Sequence, residues 1–273
     1  MTPQFTEEGD GLYLDIHGAR GSMPVGTPEF GKYGGDTTCY SLHHDDGTLI
    51  TTIDAGTGLR LLVPEISEAG TTVTFVLTHY HWDHIQGLSM CAPMWKGDIS
   101  LRIIGPGDVV RSVSEAISPP WFPVPIEEMK IEFVPAEESF QLGDIKVTTF
   151  PLNHPQGGLG YRFEFDGQSV VVATDHEAGT DADRALIEGA SGADILVHDA
   201  QYLPREIESK RGWGHSTWED AAAISKHAGV GRLLMASHDP SRSDVDVDEI
   251  IGATAAVFPE AAAAGCGERY LLT

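Results

Sequence analysis

Cysteine is scarce in this chain of 273 residues, and long apolar runs are missing. Cys39, Cys91 and Cys266 are odd in number and scattered, without a Cys-x-x-Cys pair. This pattern argues against a disulfide framework and favours a reducing cytoplasm as the compartment. No run approaches the roughly 18 apolar residues of a membrane-spanning helix, so we expect no membrane span. The first residues also lack the basic region, apolar core and cleavage site of a secretion signal.

Basic residues are few as well. The sequence has 17 lysines and arginines against 41 aspartates and glutamates, which gives a formal net charge of −24. Such a surface repels polyanions at long range and argues against a large nucleic acid as partner. The acidity could also serve solubility alone and carry no information on the substrate. Bound divalent ions would offset the charge locally, so a small anionic substrate stays compatible with it.

The chain shows no low-complexity tract, charge block or long linker, so we predict one domain over residues 1–273. Its β-rich runs alternate with segments of helical apolar spacing, which predicts an α/β fold, a four-layer αββα sandwich. The proline-rich segment 118–127 predicts a stiff loop, either a surface connection that packs Trp121 and Phe122 on the core or a wall beside the site. Strands are predicted near 48–53, 100–104, 131–134, 145–150, 160–165, 168–173 and 194–197, and helices near 106–117, 181–189, 217–228 and 245–257.

The segment LTHYHWDHIQG carries the strongest signal of chemistry. A β-rich run ends at His79, and His81, Asp83 and His84 follow within five residues. In the loop predicted at this strand end, alternate residues such as His79 and His81 point the same way, and Asp83 and His84, in a tight turn, can face a second point nearby. Imidazole nitrogens and carboxylate oxygens are suitable ligands for Zn²⁺. The alternative is a polar, solvated loop that happens to be rich in histidine, but the density of ligands favours a metal site.

Further candidate ligands follow other predicted strands. His154 lies just past the run VTTFPLN, Asp175 and His176 follow QSVVVAT, and His238 follows RLLMAS. Polar residues where the chain leaves a buried strand often form the active sites of layered α/β proteins. Each of these residues alone could be structural. Their shared context makes all of them candidates for the same site.

With these motifs the chain resembles the metallo-β-lactamase fold hydrolases, from GARGSMP at 18–24 through HxHxDH to SHDPSR at 237–242. It is most similar to their phosphodiesterase branch, which includes ribonuclease Z and small cyclic-phosphate phosphodiesterases. The resemblance implies two divalent metal ions, Zn²⁺ or alternatively Mn²⁺ or Fe. It implies that the first ion is bound by His79, His81 and His154, the second by Asp83, His84 and His238, with Asp175 as the bridge.

The resemblance also implies supporting residues. Asp54, in an Asp-x-Gly turn, would accept a hydrogen bond from the second ring nitrogen of a ligand; the alternative is a simple turn residue. In ribonuclease Z-like enzymes a histidine in a GHST segment pairs with an acidic residue after a strand and protonates the leaving group. That role falls on His215 with Asp199 as its partner, so the catalytic set is Asp83, Asp199 and His215. Those ribonucleases often carry the longer Glu at the position of Asp199.

These observations predict a metal-dependent phosphodiesterase of a small substrate, such as a cyclic nucleotide or a cyclic phosphate ester. Three alternatives remain: ribonuclease Z-like RNA processing, hydrolysis of a carboxylic ester, lactone or thioester, and a non-catalytic metal-binding protein. The resemblance further implies that a homodimer can form. Arg20 and Arg242 could either bind an anion or form surface ion pairs.

Overall fold

The computed structural model describes residues 11–68 and 72–272. Residues 1–10, on which the prediction about a secretion signal depends, lie outside the described part. Within the described part the strands are β1 Leu12–Gly18, β2 Cys39–His44, β3 Leu49–Ile53, β4 Thr72–Val76, β5 Ser100–Gly105, β6 Ile131–Pro135, β7 Ser139–Leu142, β8 Ile145–Leu152, β9 Gly158–Phe165, β10 Gln168–Ala173, β11 Ile195–Asp199, β12 Arg232–Ala236, β13 Ala261–Ala263 and β14 Arg269–Leu271. The helices are α1 Leu59–Glu68, α2 Trp82–Ile85, α3 Ala92–Trp95, α4 Val109–Ala116, α5 Ala182–Gly189, α6 Ile207–Lys210, α7 Trp218–Ala228 and α8 Asp244–Ala255.

The strands form two sheets of seven strands each. The first has the order β14-β1-β2-β3-β4-β5-β6 and the second the order β13-β12-β11-β10-β9-β8-β7. Strands β3 to β6 are parallel in the first sheet, and β10 to β13 are parallel in the second. Strand β8 runs in the direction of β10, because both pair antiparallel with β9. The carboxyl ends of β8, β10, β11 and β12 therefore lie at one edge of the second sheet.

Three apolar layers hold the sheets and helices together. The central layer lies between the sheets and joins residues such as Leu14 and Ile53 of the first sheet to Tyr161 and Val197 of the second. A second layer packs α1, α3 and α4 on the outer face of the first sheet, and a third packs α5, α7 and α8 on the second. Strand residues alternate between these layers because successive side chains point to opposite faces. This arrangement confirms the predicted αββα sandwich.

Capping residues define both ends of α7, the helix that follows His215. Thr217 caps α7 through a reciprocal pair with Asp220, and Gly229 ends that helix in the left-handed region. Such caps satisfy backbone groups that the helix itself leaves unpaired. Thr217 is thus the N-cap of α7, and His215 lies two residues before it. Residues 82–85 form the one-turn helix α2, where a loop was predicted.

The two aromatic rings of the proline-rich segment after α4 differ in burial. Phe122 packs with the apolar layer of the first sheet, and its ring centroid lies 6.4 Å from that of Trp95. Trp121 is 79% exposed, so the alternative in which both rings pack on the core holds for Phe122 but not for Trp121. No helix in the described part of the chain is long and apolar enough to cross a bilayer.

Arg20 forms an ion pair with Asp244, but it is fully buried, so the predicted ion pair is not on the surface. Its Nε donates to the carbonyl of Gly34 at 2.8 Å, and Nη1 donates to the carbonyl of Arg242 at 2.9 Å. Nη2 lies 3.5 Å from Asp244 Oδ1 at the start of α8. Its burial is tolerated because several of its donors are satisfied. Arg20 therefore ties the 18–24 loop to the chain around α8.

Candidate metal centre

The predicted ligands come from both sheets and meet at one edge. After β4 the first sheet supplies His79, then His81 at the start of α2, and Asp83 and His84 within α2. The second sheet supplies His154 after β8 and Asp175 after β10. The carboxyl ends of parallel strands meet at a common edge, which brings residues far apart in sequence together.

The first group consists of His79, His81 and His154. One ring nitrogen from each lies within 4.8 Å of the others, a separation close to that of ligands bound to one ion at about 2.0–2.2 Å. The shortest distance is 2.9 Å, between His81 Nδ1 and His154 Nε2. The rings of His79 and His154 are nearly perpendicular, with centroids 4.5 Å apart. Three imidazoles therefore point their nitrogens at one place.

The second group consists of His79, His84 and Asp175, and it shares His79 with the first. Asp175 Oδ2 lies 3.2 Å from His84 Nε2, 3.6 Å from His79 Nε2 and 3.7 Å from His154 Nε2. One carboxylate oxygen thus lies between nitrogens of both groups. This is the position that a ligand common to two ions would need.

The outer ring nitrogens show where the protons lie. His154 Nδ1 donates to the carbonyl of Gly214 at 2.8 Å, and His84 Nδ1 donates to Asp54 Oδ2 at 2.8 Å. His81 Nε2 donates to Gln156 Oε1 at 2.8 Å. In its neutral form each of these rings has its one N–H on the outer nitrogen and turns an unprotonated nitrogen inward. The partners outside the site thus select the tautomer that binds metal.

The inward atoms lack partners of their own. His79 Nε2 and His84 Nε2 are buried without a hydrogen bond, and the lone pairs of His81 and His154 face each other. Burial and the charge of His84 lower the pKa of His79 well below its ordinary value. At His84 the carboxylates of Asp175 and Asp83 overcome burial and raise the pKa well above the ordinary value. Converging lone pairs and carboxylates call for positive charge, so this donor set fits divalent cations.

Asp54 makes the predicted contact. Its Oδ2 accepts from His84 Nδ1, and also from Thr78 Oγ1 at 2.8 Å, while Oδ1 accepts from the Thr78 backbone N–H at 2.7 Å. Asp54 is buried and has a positive φ of 58°. The predicted hydrogen bond from Asp54 to a candidate ligand, His84, is therefore confirmed, and Asp54 is more than a turn residue.

The two remaining predicted ligands differ. Asp83 Oδ2 lies 3.5 Å from His84 Nε2 and accepts the backbone N–H of Ser22 at 2.7 Å, so it faces the second group. His238 is not brought into any of the ligand groups among the described residues. Its Nε2 lies 3.0 Å from the carbonyl of Ala264, and burial with the nearby charge of Arg20 lowers its pKa to about 4. A ring with Nε2–H on that carbonyl offers only Nδ1 as a lone pair.

A third group joins Asp175 to Asp199 and His215. His215 Nδ1 lies 3.0 Å from Asp199 Oδ2 and 3.9 Å from Asp175 Oδ1. Asp199 also accepts the backbone N–H groups of Ser216 and His176, which hold its carboxylate in place. Burial alone would lower the pKa of His215, but the charges of Asp175 and Asp199 raise it to about 9. The shorter Asp thus still reaches the histidine.

Sequence reasoning missed several supports of this centre. Gln156 holds His81, the Gly214 carbonyl holds His154, and Ser237 Oγ donates to Asp175 Oδ1 at 2.8 Å. Ser237 precedes His238 and Gln156 precedes a glycine turn, which were the only local hints. The described chain has six non-glycine residues with positive φ, and all but Asp166 contact the site; they are Ser22, Asp54, Gln156, Asp175 and Ser237.

Comparisons with known proteins agree with this geometry. A family model described as a beta-lactamase superfamily domain matches residues 52–238. The chain is 26% identical over 272 residues to Ribonuclease BN of Escherichia coli O6:K15:H31 (strain 536), with 80% of this chain and 88% of that protein covered. It is similar in structure to the metallo-beta-lactamase fold protein YhfI of Bacillus subtilis, with TM-score 0.76, 19% identity, and coverage of 96% and 99%. It is also similar to a diphosphatase from the PhnP family, with TM-score 0.71, 19% identity, and coverage of 96% and 98%.

Proposed function

The chain belongs to the beta-lactamase superfamily and has the metallo-β-lactamase fold, as its motifs predicted, and on this premise we propose that it is a dinuclear metal-dependent phosphodiesterase of small substrates. The observation that carries the proposal is the third group, in which His215 and Asp199 adjoin the same Asp175 that faces the candidate metal ligands. A proton donor beside a cation site suits a reaction whose leaving group is an alkoxide. The substrates proposed are cyclic nucleotides or cyclic phosphate esters.

The proposal assigns each ligand to an ion. His79, His81 and His154 would hold the first ion, His84 and Asp83 would hold the second, and Asp175 would contribute to both. His238 is proposed as a further ligand of the second ion through Nδ1, because its Nε2–H donates to the carbonyl of Ala264. The ions are proposed to be Zn²⁺, with Mn²⁺ or Fe as alternatives. When bound, such ions supply Lewis-acid chemistry and lower the pKa of water toward neutrality.

His215 performs the proton transfer in this proposal. Its Nδ1–H donates to Asp199 Oδ2 at 3.0 Å, so the transferable proton is held at Nε2. A water oxygen forms the new bond to phosphorus as the bond to the leaving oxygen breaks. Nε2 gives its proton to the leaving oxygen, and the proton of the water passes to solvent. Asp199 fixes the ring orientation, and three backbone N–H groups hold Asp199 in turn, those of His176, Gln201 and Ser216, at 3.1, 3.3 and 2.9 Å. The pair then needs no rearrangement during the reaction.

The surface beside His215 supports a substrate with a planar part. The Tyr202 ring lies against His215, with centroids 5.5 Å apart. Lys210 Nζ lies 4.3 Å from the ring centroid of Trp213 and 5.4 Å from that of Tyr202. Trp213 is 59% exposed, two residues from His215. A nucleobase or aryl leaving group could stack on this indole, and Lys210 could attract a further negative charge.

A panel of three chromogenic esters tests the function. Purified protein loaded with Zn²⁺ or Mn²⁺ is assayed with bis(p-nitrophenyl) phosphate, p-nitrophenyl phosphate and p-nitrophenyl acetate. We expect hydrolysis of the diester, with little cleavage of the monoester. Cleavage of the acetate alone would overturn the proposal in favour of a carboxylic ester or lactone hydrolase.

Ribonuclease Z-like RNA processing is the second candidate, because curated relatives named Ribonuclease BN cover most of the chain. The net charge of −24 opposes it, since contacts with phosphates of a long RNA rely on basic side chains. A precursor tRNA with a 3′ extension distinguishes the two candidates. Cleavage of this RNA with a kcat/KM above that for a cyclic dinucleotide or cyclic mononucleotide would favour the second candidate.

A further inference from the structure

Glu177 is a buried carboxylate that none of the metal-ligand groups includes. Only 8% of the residue is exposed, and no ion pair to it is found among the described residues. Instead it accepts backbone N–H groups from one loop. Gly212 donates to Oε1 and Oε2 at 3.0 Å and 2.8 Å, and Gly214 donates to Oε2 at 2.9 Å. Hydrogen bonds to a charged, buried acceptor are stronger than neutral ones.

The loop that Glu177 holds has a backbone that needs glycine. Gly212 and Gly214 have φ angles of 82° and 85°, in the left-handed region. A Cβ at Gly214 would lie 2.1 Å from His154 Nδ1 and 2.4 Å from Pro155 Cδ. The backbone at Gly214 therefore lies directly against His154. Since glycine is conformationally permissive, a contact from outside the loop is needed to keep it there.

This loop touches both parts of the proposed active site. The carbonyl of Gly214 accepts from His154 Nδ1 at 2.8 Å and so leaves His154 Nε2 free to bind metal. The next residue is His215, the proposed proton donor. The backbone of Glu177 also pairs with Asn153: its N–H donates to the Asn153 carbonyl at 2.8 Å, and its carbonyl accepts from Asn153 Nδ2 at 2.7 Å. Residues 153–154, 175–177 and 212–215 thus meet at Glu177.

We propose that Glu177 is a positioning residue that sets both the tautomer of His154 and the place of His215, and so couples cation binding to proton donation. The part that concerns proton donation rests on the proposed function, whereas the part that concerns cation binding does not. The physical reason is the chain of contacts from the Glu177 carboxylate through Gly214 to His154. A partner that orients a metal-ligating histidine typically contributes about 10–100-fold to metal affinity or activity.

Glu177→Gln tests the proposal at nearly constant volume. The glutamine amide keeps one oxygen for the loop but turns an NH₂ group toward a backbone N–H, so the loop loses at least one contact. We expect the affinity for the first Zn²⁺ to fall about 10-fold or more, measured by competition with a chromophoric chelator. The kcat for a cyclic mononucleotide, whose leaving oxygen needs a proton, should fall by a similar factor, with KM within about twofold of the wild type. Imidazole ¹⁵N spectra of the metal-free protein should show His154 losing its fixed Nδ1–H tautomer.

Asp194→Asn is the matched control. The carboxylate of Asp194 also accepts a backbone N–H, that of Ser169 at 2.6 Å, at the beginning of β10 and β11 and away from the metal ligands. A merely structural role of Glu177 predicts that both variants lose thermal stability alike and that neither changes Zn²⁺ affinity or the His154 resonances. That result would overturn the proposal.

Glu177→Asp serves if the glutamine variant does not fold. It retains the charge, but the shorter side chain cannot reach Gly212 and Gly214 together, so the same loss of Zn²⁺ affinity is expected. Wild-type affinity in this variant would also contradict the proposal. If Zn²⁺ affinity falls as expected while no phosphodiester is cleaved by the wild type, the proposed function fails and the assignment of Glu177 to His154 stands.

Discussion

The candidate metal centre and the hairpin between β9 and β10 both hold non-glycine residues in the left-handed region, but for different reasons. In the hairpin, Asp166 has φ 43° and Gly167 has φ 83°, and the sequence Asp-Gly favours this two-residue turn locally. At the centre, Asp54, Asp175 and Ser237 have φ of 58°, 61° and 52°, and the residue that follows each is not glycine. There the backbone is held by contacts between distant segments. Such strain costs about 1–3 kcal/mol per residue and persists where the surroundings determine the geometry.

The largest loss of metal and activity should follow from replacing Asp175, and the matched control is the replacement of Asp166 in the hairpin. Asp175→Ala removes the oxygen that lies between both ligand groups, so we expect metal content to fall below one ion per chain and kcat/KM to fall by at least about 10³-fold. Asp166→Ala should leave both unchanged. Elemental analysis and steady-state kinetics measure the two quantities. Two ions still bound to the Asp175 variant would remove Asp175 from the bridging role.

A smaller effect should separate proton donation from metal binding. His215→Ala should lower kcat for a cyclic mononucleotide, whose leaving oxygen is an alkoxide, by about 10²–10³-fold, within the contribution of a general acid, and should leave the metal content at the wild-type value. His227, exposed on α7, supplies the control variant His227→Ala with unchanged kinetics. If the His215 variant instead loses its metal, the residue is a ligand or supports one, and the assignment as proton donor is wrong.

Asp54→Asn examines a left-handed position without disturbing its backbone, because Asn tolerates this region as Asp does. Its amide would present N–H groups to His84 Nδ1 and favour the tautomer with the proton on Nε2, the atom that faces Asp175. We expect about 10–100-fold weaker Zn²⁺ affinity at the second group. Isothermal titration of the metal-free protein measures it. Unchanged affinity would mean that the contact with Asp54 does not select the tautomer.

The smallest effect should appear in stability. Ser237→Gly relieves the left-handed strain but removes the hydrogen bond to Asp175, while Asp166→Gly alters only the hairpin turn. Both should change the free energy of unfolding by less than about 1 kcal/mol. The two variants should differ in activity, because kcat should fall by a few fold in Ser237→Gly and stay unchanged in Asp166→Gly. Equal kcat values for the two variants, measured on samples with the same folded fraction by urea unfolding, would show that Ser237 does not support Asp175.

Much of the architecture was predictable because it depends on local patterns. Buried β-rich runs and helical spacing predicted most strands and helices, and the ligands at strand ends followed from them. The one-turn helix α2 has too few residues for a periodic signal, so residues 82–85 were predicted as a loop. The supports of the centre were not predictable in the same way. Glu177 and Gln156 act through backbone groups and rings that are distant in sequence, and the orientation of the His238 ring depends on Ala264.

The supply of ligands from both sheets has a consequence for heat resistance. His79, His81 and His84 belong to the edge of the first sheet, and His154 and Asp175 to that of the second. Ions bound among them would cross-link the two halves of the sandwich. Free metal at about 100 times its dissociation constant would then add about 2.7 kcal/mol to the resistance to unfolding for each site. Removal of the metal by a chelator would therefore lower the melting temperature, and the two halves would separate first at the edge where the ions had been bound.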